Sequence, residues 1–210
     1  MKKMFLTSSV KFVAENIANK IGKGLRTAFV TTASETEGPN LDWLVTSRAA
    51  MGDAGFDLFD YTVTGKTYEQ IEGDLKDIDV LHVHGGNSFY LLLQSRKSGF
   101  DKFAKKFIDN GGIYIGSSAG SVVAAPDIEI IRRIELDNLV EELKTFNAFN
   151  LVDFIILPHW GSEKFRNVYL DERIENSYVE GNKIILLTDT QYVLVEGDMY
   201  RIVDVEDKKK

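Results

Sequence analysis

Gly116-Ser117-Ser118-Ala119-Gly120 sets a serine at the centre of a G-x-S-x-G pattern, directly after Ile113-Tyr114-Ile115 and before Ser121-Val122-Val123-Ala124-Ala125. At a strand-to-helix turn this pattern forces the central residue into a strained backbone with its hydroxyl projecting, and the small neighbours leave room for it. Only Ser118 fits that register; Ser117 and Ser121 do not. The bland alternative is a glycine-rich turn serving close packing alone. A serine hydroxyl is a poor nucleophile at neutral pH, so the chemical reading needs an imidazole to take its proton and a carboxylate to fix that imidazole's tautomer.

The chain has three histidines. His82 and His84 alternate with Leu81 and Val83 in an apolar run, which makes His82 a buried core histidine and leaves His84 within reach of a site at the strand end. His159 ends Ile155-Ile156-Leu157-Pro158-His159-Trp160-Gly161, where a general base belongs. For the acid, Asp189 follows Lys183-Ile184-Ile185-Leu186-Leu187-Thr188 at the end of a further strand. Glu135 and Asp137 compete with it, and Asp127, next to Pro126, reads as a cap or turn residue. With Asp189 the order along the chain is Ser, His, acid, whereas an α/β-hydrolase runs Ser, acid, His. Val83-His84-Gly85-Gly86-Asn87-Ser88-Phe89 supplies the remaining piece. Its glycines let backbone N–H groups approach a developing oxyanion, so the amides of Gly86 and Ala119 form a candidate oxyanion hole. The same loop also reads as a glycine turn with an N-cap, or as a phosphate cradle lacking the P-loop lysine.

These loops need strands behind them. Short β-branched or aromatic runs alternate with helical segments, the pattern of a mainly parallel sheet with crossover helices, whose ligands bind beyond the carboxyl ends of the strands. Strands are expected near 4–8, 27–32, 56–62, 78–84, 113–116, 153–157 and 183–187. Helices are expected over 10–21, with Phe12, Val13, Ile17 and Ile21 on one face, and over 67–75, 88–94 and 100–109. The runs 192–195 and 199–203 flank Glu196-Gly197-Asp198 as a closing β-hairpin. The expected architecture is α/β, a three-layer sandwich spanning 1–205 as a single domain, with 206–210 a charged tail.

Composition narrows the chemistry. The 210 residues carry 25 Lys and Arg against 32 Asp and Glu, a net charge of -7, which argues against a nucleic-acid or anionic-membrane partner. With no cysteine there is no disulfide, thiolate metal site or cysteine nucleophile. No metal and no cofactor are expected. The N-terminus lacks a signal-peptide core and no apolar run is long enough to span a bilayer, so a cytoplasmic location is expected. Trp43, Phe56, Phe59 and Tyr61 fit either a core or a homodimer face.

Together, Gly85-Gly86-Asn87-Ser88-Phe89-Tyr90-Leu91-Leu92, Gly112 through Gly120 continuing to Ala125-Pro126-Asp127-Ile128, and Leu157-Pro158-His159-Trp160 resemble the peptidase E and cyanophycinase family of serine peptidases, peptidase family S51. The resemblance extends from about Lys3 to Val203. It implies a fold similar to class I glutamine amidotransferases, flavodoxin-like, with Ser in place of Cys. It further implies Ser118 as nucleophile, His159 as base, Gly86 and Ala119 as oxyanion donors, and short peptides with an N-terminal aspartyl residue, or an aspartyl backbone, as substrates. Where aspartyl dipeptidases of this family carry Thr-Thr-Asn-Asp, this chain has Ile130-Ile131-Arg132-Arg133-Ile134-Glu135, leaving the acid and the aspartyl preference open; Asp189 corresponds to another acidic position of the family. An acidic substrate would require a cation near the site, for which Arg132, Arg133 and Arg166 are candidates. Two other functions remain: a small-acyl esterase or amidase with the same machinery, and a non-catalytic flavodoxin-like module whose glycine loops hold an anion.

Overall fold

Side chains along the main strands alternate between two buried faces, the arrangement that forces helices onto both sides of a sheet. On one face Met4, Leu6, Ala28, Val30, Leu81 and Val83 pack together. On the other lie Phe5, Phe29, Val80 and Ile115. Phe5 and Phe29 are wholly buried, and each contributes about 1.5–3 kcal/mol of transfer free energy. The computed structural model describes residues 1–134, 140–177 and 181–206.

The seven-stranded sheet consists of β1 (Lys3–Thr7), β2 (Arg26–Val30), β3 (Asp57–Tyr61), β4 (Val80–Val83), β5 (Ile113–Ser117), β8 (Gln191–Glu196) and β9 (Met199–Asp204). They lie in the order β3-β2-β4-β5-β1-β8-β9. The first five are parallel, with Val83 level with Gly116 and Leu6 level with Gly116 on the other side. β8 joins β1 antiparallel and turns through Gly197 (φ 63°) into β9, the expected closing hairpin. Helices α1 (Val10–Ile21) and α2 (Asp42–Ala54) cover one face. The other is covered by α3 (Tyr68–Asp74), α4 (Ser88–Ser98), α5 (Phe100–Asp109) and the short α6 (Ala119–Val122). Thr67 and Gln70 form a capping box that starts α3, and Gly99 in the left-handed region ends α4.

Three features depart from the sequence reading. β6 (Ile155–Leu157) and β7 (Ile184–Leu186) pair in parallel with each other as a separate two-stranded sheet, so the loop bearing His159 approaches the main sheet from beside it. Phe12 is 49% exposed with Lys11 Nζ 4.6 Å from its ring centroid, because Val10 and Ala14, with Val13 and Ile17, form the buried stripe of α1. Helix α2 interrupts the 35–55 stretch for which no element was expected. Of the four aromatics in question, Phe56 and Tyr61 are core and Phe59 packs partly against it, whereas Trp43 lines a cavity. Glu135, Asp137 and the tail beyond 206 lie outside the described residues. Among the described residues no helix is long and apolar enough to cross a membrane.

Candidate active site

The turn after β5 is a nucleophile elbow in its backbone. Ser118 adopts φ 49° and ψ −112°, a conformation non-glycine residues avoid, between the last strand residue and the first residue of α6. Packing holds it there. The Ser118 amide donates to Thr7 O at 3.0 Å, while Ser118 O accepts from the amides of Ser121 and Val122 at 2.8 and 3.0 Å. Tyr114 Oη donates to Gly120 O at 2.6 Å and Ser121 Oγ to Thr7 O at 2.8 Å. Close approach explains the flanking glycines. A Cβ on Gly116 would lie 2.7 Å from Gly120 O, and one on Gly120 only 2.0 Å from Val83 O.

The loop after β4 runs alongside. A Cβ on Gly85 would sit 3.0 Å from Ser118 Cβ, and one on Gly86, where φ is 133°, would collide with Ala33 O at 2.2 Å. Asn87, rather than Ser88, caps α4: its Oδ1 accepts from the Tyr90 amide at 2.9 Å, and its own amide donates to Ala33 O at 2.8 Å. Among the described residues the amides of Gly86 and Ala119 donate to no protein acceptor.

From β6 the chain passes through Pro158 to His159, itself at φ 66°. Its Nε2 lies 3.1 Å from Ser118 Oγ, and its Nδ1 lies 2.7 Å from Asp189 Oδ1. The Phe165 ring stacks on the imidazole at a centroid distance of 5.0 Å and an interplanar angle of 16°. Tyr169 Oη donates to Pro158 O, and the Trp160 amide to Leu187 O at 2.9 Å, tying the two segments that carry His159 and Asp189. Burial opposes ionisation of Asp189. Hydrogen bonds from His159 and Ser8, and the nearby charges of His159 and Lys11, outweigh it and hold the carboxyl below its ordinary range.

Ser8 is the residue the sequence reading missed. Its Oγ donates to Asp189 Oδ1 at 2.7 Å and accepts from the His159 backbone amide at 2.7 Å, so one hydroxyl fastens both partners. Its placement just past β1, next to β5 in a parallel sheet, was the available signal, since strand-end residues gather at this edge.

The other candidates separate by position. Asp127 Oδ1 accepts from the Glu129 amide at 3.0 Å, the turn role expected of it. His82 is fully buried, and burial pushes its pKa well down. His84 lines the cavity above Ser118 without bonding to His159 or Asp189. Arg132 is exposed, ion-paired with Glu129 and 5.8 Å from the Phe146 ring centroid. Neither it nor Arg166 lines the cavity, and the side chain of Arg133 lies outside the described residues; among the described residues the cations there are Lys11 and Lys164. The cavity measures about 420 Å³ and opens over Ser118, Gly86 and His159. Among the described residues no group of three or more His, Asp or Glu side chains is placed to hold a metal ion.

Residues 4–203 match the sequence pattern of Peptidase family S51. An uncharacterized peptidase of Listeria innocua is 31% identical over 202 residues, 94% of either chain. Peptidase E of Streptomyces coelicolor is 30% identical over 156 residues, covering 72% of this chain and 61% of that protein. A crystal structure from Listeria monocytogenes, assigned provisionally to peptidase E, superposes with a TM-score of 0.86 at 27% identity, over 98% of this chain and 99% of that one. A peptidase from an acI-B1 actinobacterium shares the fold at a TM-score of 0.71 and 16% identity. With a match that runs through the elbow, the glycine loop and the His159 strand alike, the chain belongs to peptidase family S51 and is a peptidase.

Proposed function

We propose that the chain is a serine peptidase that cleaves short peptides through an acyl-enzyme on Ser118. The observation carrying this reading is the hydrogen-bonded series Ser118 Oγ, His159 Nε2, His159 Nδ1, Asp189 Oδ1, with spacings of 3.1 and 2.7 Å. His159 Nε2 accepts the Ser118 proton as Oγ adds to the scissile carbonyl carbon. Asp189, which stays ionised despite burial because its hydrogen bonds and neighbouring charges outweigh desolvation, keeps the other proton on Nδ1 and stabilises the imidazolium that forms. The amides of Gly86 and Ala119 receive the negative oxygen. Collapse of the tetrahedral adduct breaks the C–N bond, and His159 passes its proton to the leaving amine. Water, deprotonated by the same imidazole, then adds to the ester carbonyl; the acyl C–O bond breaks, His159 returns the proton to Ser118 Oγ, and the carboxylic acid product leaves.

A cavity of about 420 Å³ suits a ligand of a few residues, at the small end of the range for enclosed ligand sites. The test is labelling with a fluorophosphonate followed by peptide mapping, then turnover of a dipeptide panel. The expected label is on Ser118, lost in Ser118→Ala while the circular dichroism spectrum is kept. Labelling at another residue would overturn the assignment. Hydrolysis of p-nitrophenyl acetate with no cleavage of any peptide would favour an esterase.

A further inference from the structure

One carboxylate close to the site does not line the cavity, yet it collects three hydroxyl groups. Glu35 Oε2 accepts from Thr64 Oγ1 at 2.6 Å and from Tyr90 Oη at 3.0 Å, and its Oε1 accepts from Thr62 Oγ1. The donors come from two different segments: Thr62 and Thr64 follow β3, and Tyr90 stands in the first turn of α4. Glu35 is exposed, so water alone would satisfy it. Hydrogen bonds to a charged acceptor are the strong kind, and three that converge on one carboxylate tie together the segments that carry them.

We propose that Glu35 is a positioning residue that holds the Gly85-Gly86 turn, and with it the Gly86 amide, in place beside Ser118. The inference rests on the reading of Gly86 as an oxyanion donor of the Ser118 peptidase and deepens it by naming what aims that donor.

Two observations connect Glu35 to Gly86. First, hydrogen bonds run in a closed circuit around the glycine. Tyr90 Oη donates to Glu35, the Tyr90 amide donates to Asn87 Oδ1 at 2.9 Å, and the Asn87 amide donates to Ala33 O at 2.8 Å. Ala33 lies in the single 3-10 turn Thr32–Ser34, which runs directly into Glu35 and closes the circuit. Gly86, the residue before Asn87, is inside it. Second, the turn is wedged on both sides. A Cβ on Gly85 would lie 3.0 Å from Ser118 Cβ and one on Gly86 2.2 Å from Ala33 O, so the backbone of the turn fills the gap between the elbow and Ala33. The elbow side is fixed by the Ser118 amide and Ser121 Oγ, both donating to Thr7 O. The Ala33 side is fixed from the segment after β3, where the Val63 amide donates to Thr32 Oγ1 at 3.0 Å and Thr62 and Thr64 hold Glu35. An oxyanion donor acts by being aimed in advance at the oxygen, so a drift of Ala33 reaches the reaction through Gly86.

The experiment compares p-nitrophenyl acetate with its thiono analogue, in which sulfur replaces the carbonyl oxygen. Backbone N–H groups stabilise a developing oxygen anion better than a sulfur anion, so the ratio of the two kcat/KM values reports on the oxyanion donors. A smaller active fraction or a displaced imidazole lowers both rates alike and leaves the ratio unmoved. Losing one donor outright costs about 10²–10³-fold, so misaiming one in Glu35→Ala is expected to lower the ratio about tenfold, with KM for the oxygen ester changed less than about threefold. Tyr90→Phe opens the circuit at one bond and should lower the ratio about threefold, and the double variant should go no further than Glu35→Ala. Glu35→Gln keeps an acceptor oxygen and should retain most of the ratio, and Ser8→Ala should leave it unchanged. Tyr90→Phe and Thr64→Val serve should Glu35→Ala fail to fold. Fluorophosphonate labelling reports on Ser118 separately. A labelled enzyme whose ratio is the same in the wild type, Glu35→Ala and Tyr90→Phe would overturn the inference and leave the Ser118 reading standing. So would labelling with no turnover of either ester. No labelling and no turnover of any substrate would sink both.

Discussion

Replacing Ser8 by alanine tests whether the alignment of His159 and Asp189 is held from the end of β1. Ser8 is fully buried, so water cannot readily take the place of its hydroxyl. The variant loses a 2.7 Å hydrogen bond to a carboxylate, worth about 1.5–3 kcal/mol, and leaves the His159 amide without its 2.7 Å acceptor, worth about 1–3 kcal/mol. That amide belongs to a residue held at φ 66°, a conformation that relaxes when the tether is removed. Part of the cost falls on stability and part on the geometry of the proton relay. Partial misalignment is expected to lower kcat about 10- to 100-fold and to move KM less than about threefold, since Ser8 affects the imidazole rather than substrate binding. Steady-state kinetics on the best dipeptide, with thermal melting, would read both, and Ser8→Thr should restore part of the loss. A Ser8→Ala enzyme with kcat within about twofold of wild type would refute the reasoning.

Asp189→Asn keeps the shape of the acid but removes its charge and favours the wrong His159 tautomer; a fall in kcat of about a thousandfold or more is expected, and a variant retaining a tenth of the activity would return the acid's role to another residue. Gly120→Ala should not fold normally, since its Cβ would meet Val83 O at 2.0 Å; a melting temperature within about 2 °C of wild type would contradict the close packing of the elbow. The buried histidines make stability pH-dependent. Their folded-state pKa values lie below the ordinary 6.5, His84 at about 3, so the unfolded chain binds protons first and stability is lost as pH falls from about 6.5 towards 3. Each contributes a slope of up to about 1.4 kcal/mol per pH unit, whereas Asp189 acts only below its ordinary 3.8. Urea unfolding between about pH 6.5 and pH 4 should show the midpoint dropping steadily, and a constant midpoint would exclude neutral buried rings.

The site and the fold were legible to different extents because their determinants act over different distances. The elbow is written locally: glycines at 116 and 120 permit an approach that a Cβ would block, and the apolar run before them pairs as a central strand. The same holds for the strands of the main sheet, whose two-sided burial leaves a period-2 apolar pattern, and for the capping box at Thr67. Helix α2 escaped because its buried residues are few, Ser47, Met51 and Ala54, which leaves hardly any apolar stripe to read.

What the chain could state by itself was that Ser118 projects from a tight turn and that a histidine ends a later strand, since both depend on steric limits and periodicities within a few residues. Which carboxylate meets that histidine, and that Ser8 ties the two together, required the tertiary structure. Asp189 reaches His159 only because β6 and β7 pair side by side, and Ser8 reaches both only because β1 lies next to β5. Contacts between residues 30 and 151 positions apart are set by which strands become neighbours, and no local rule of sequence encodes that choice.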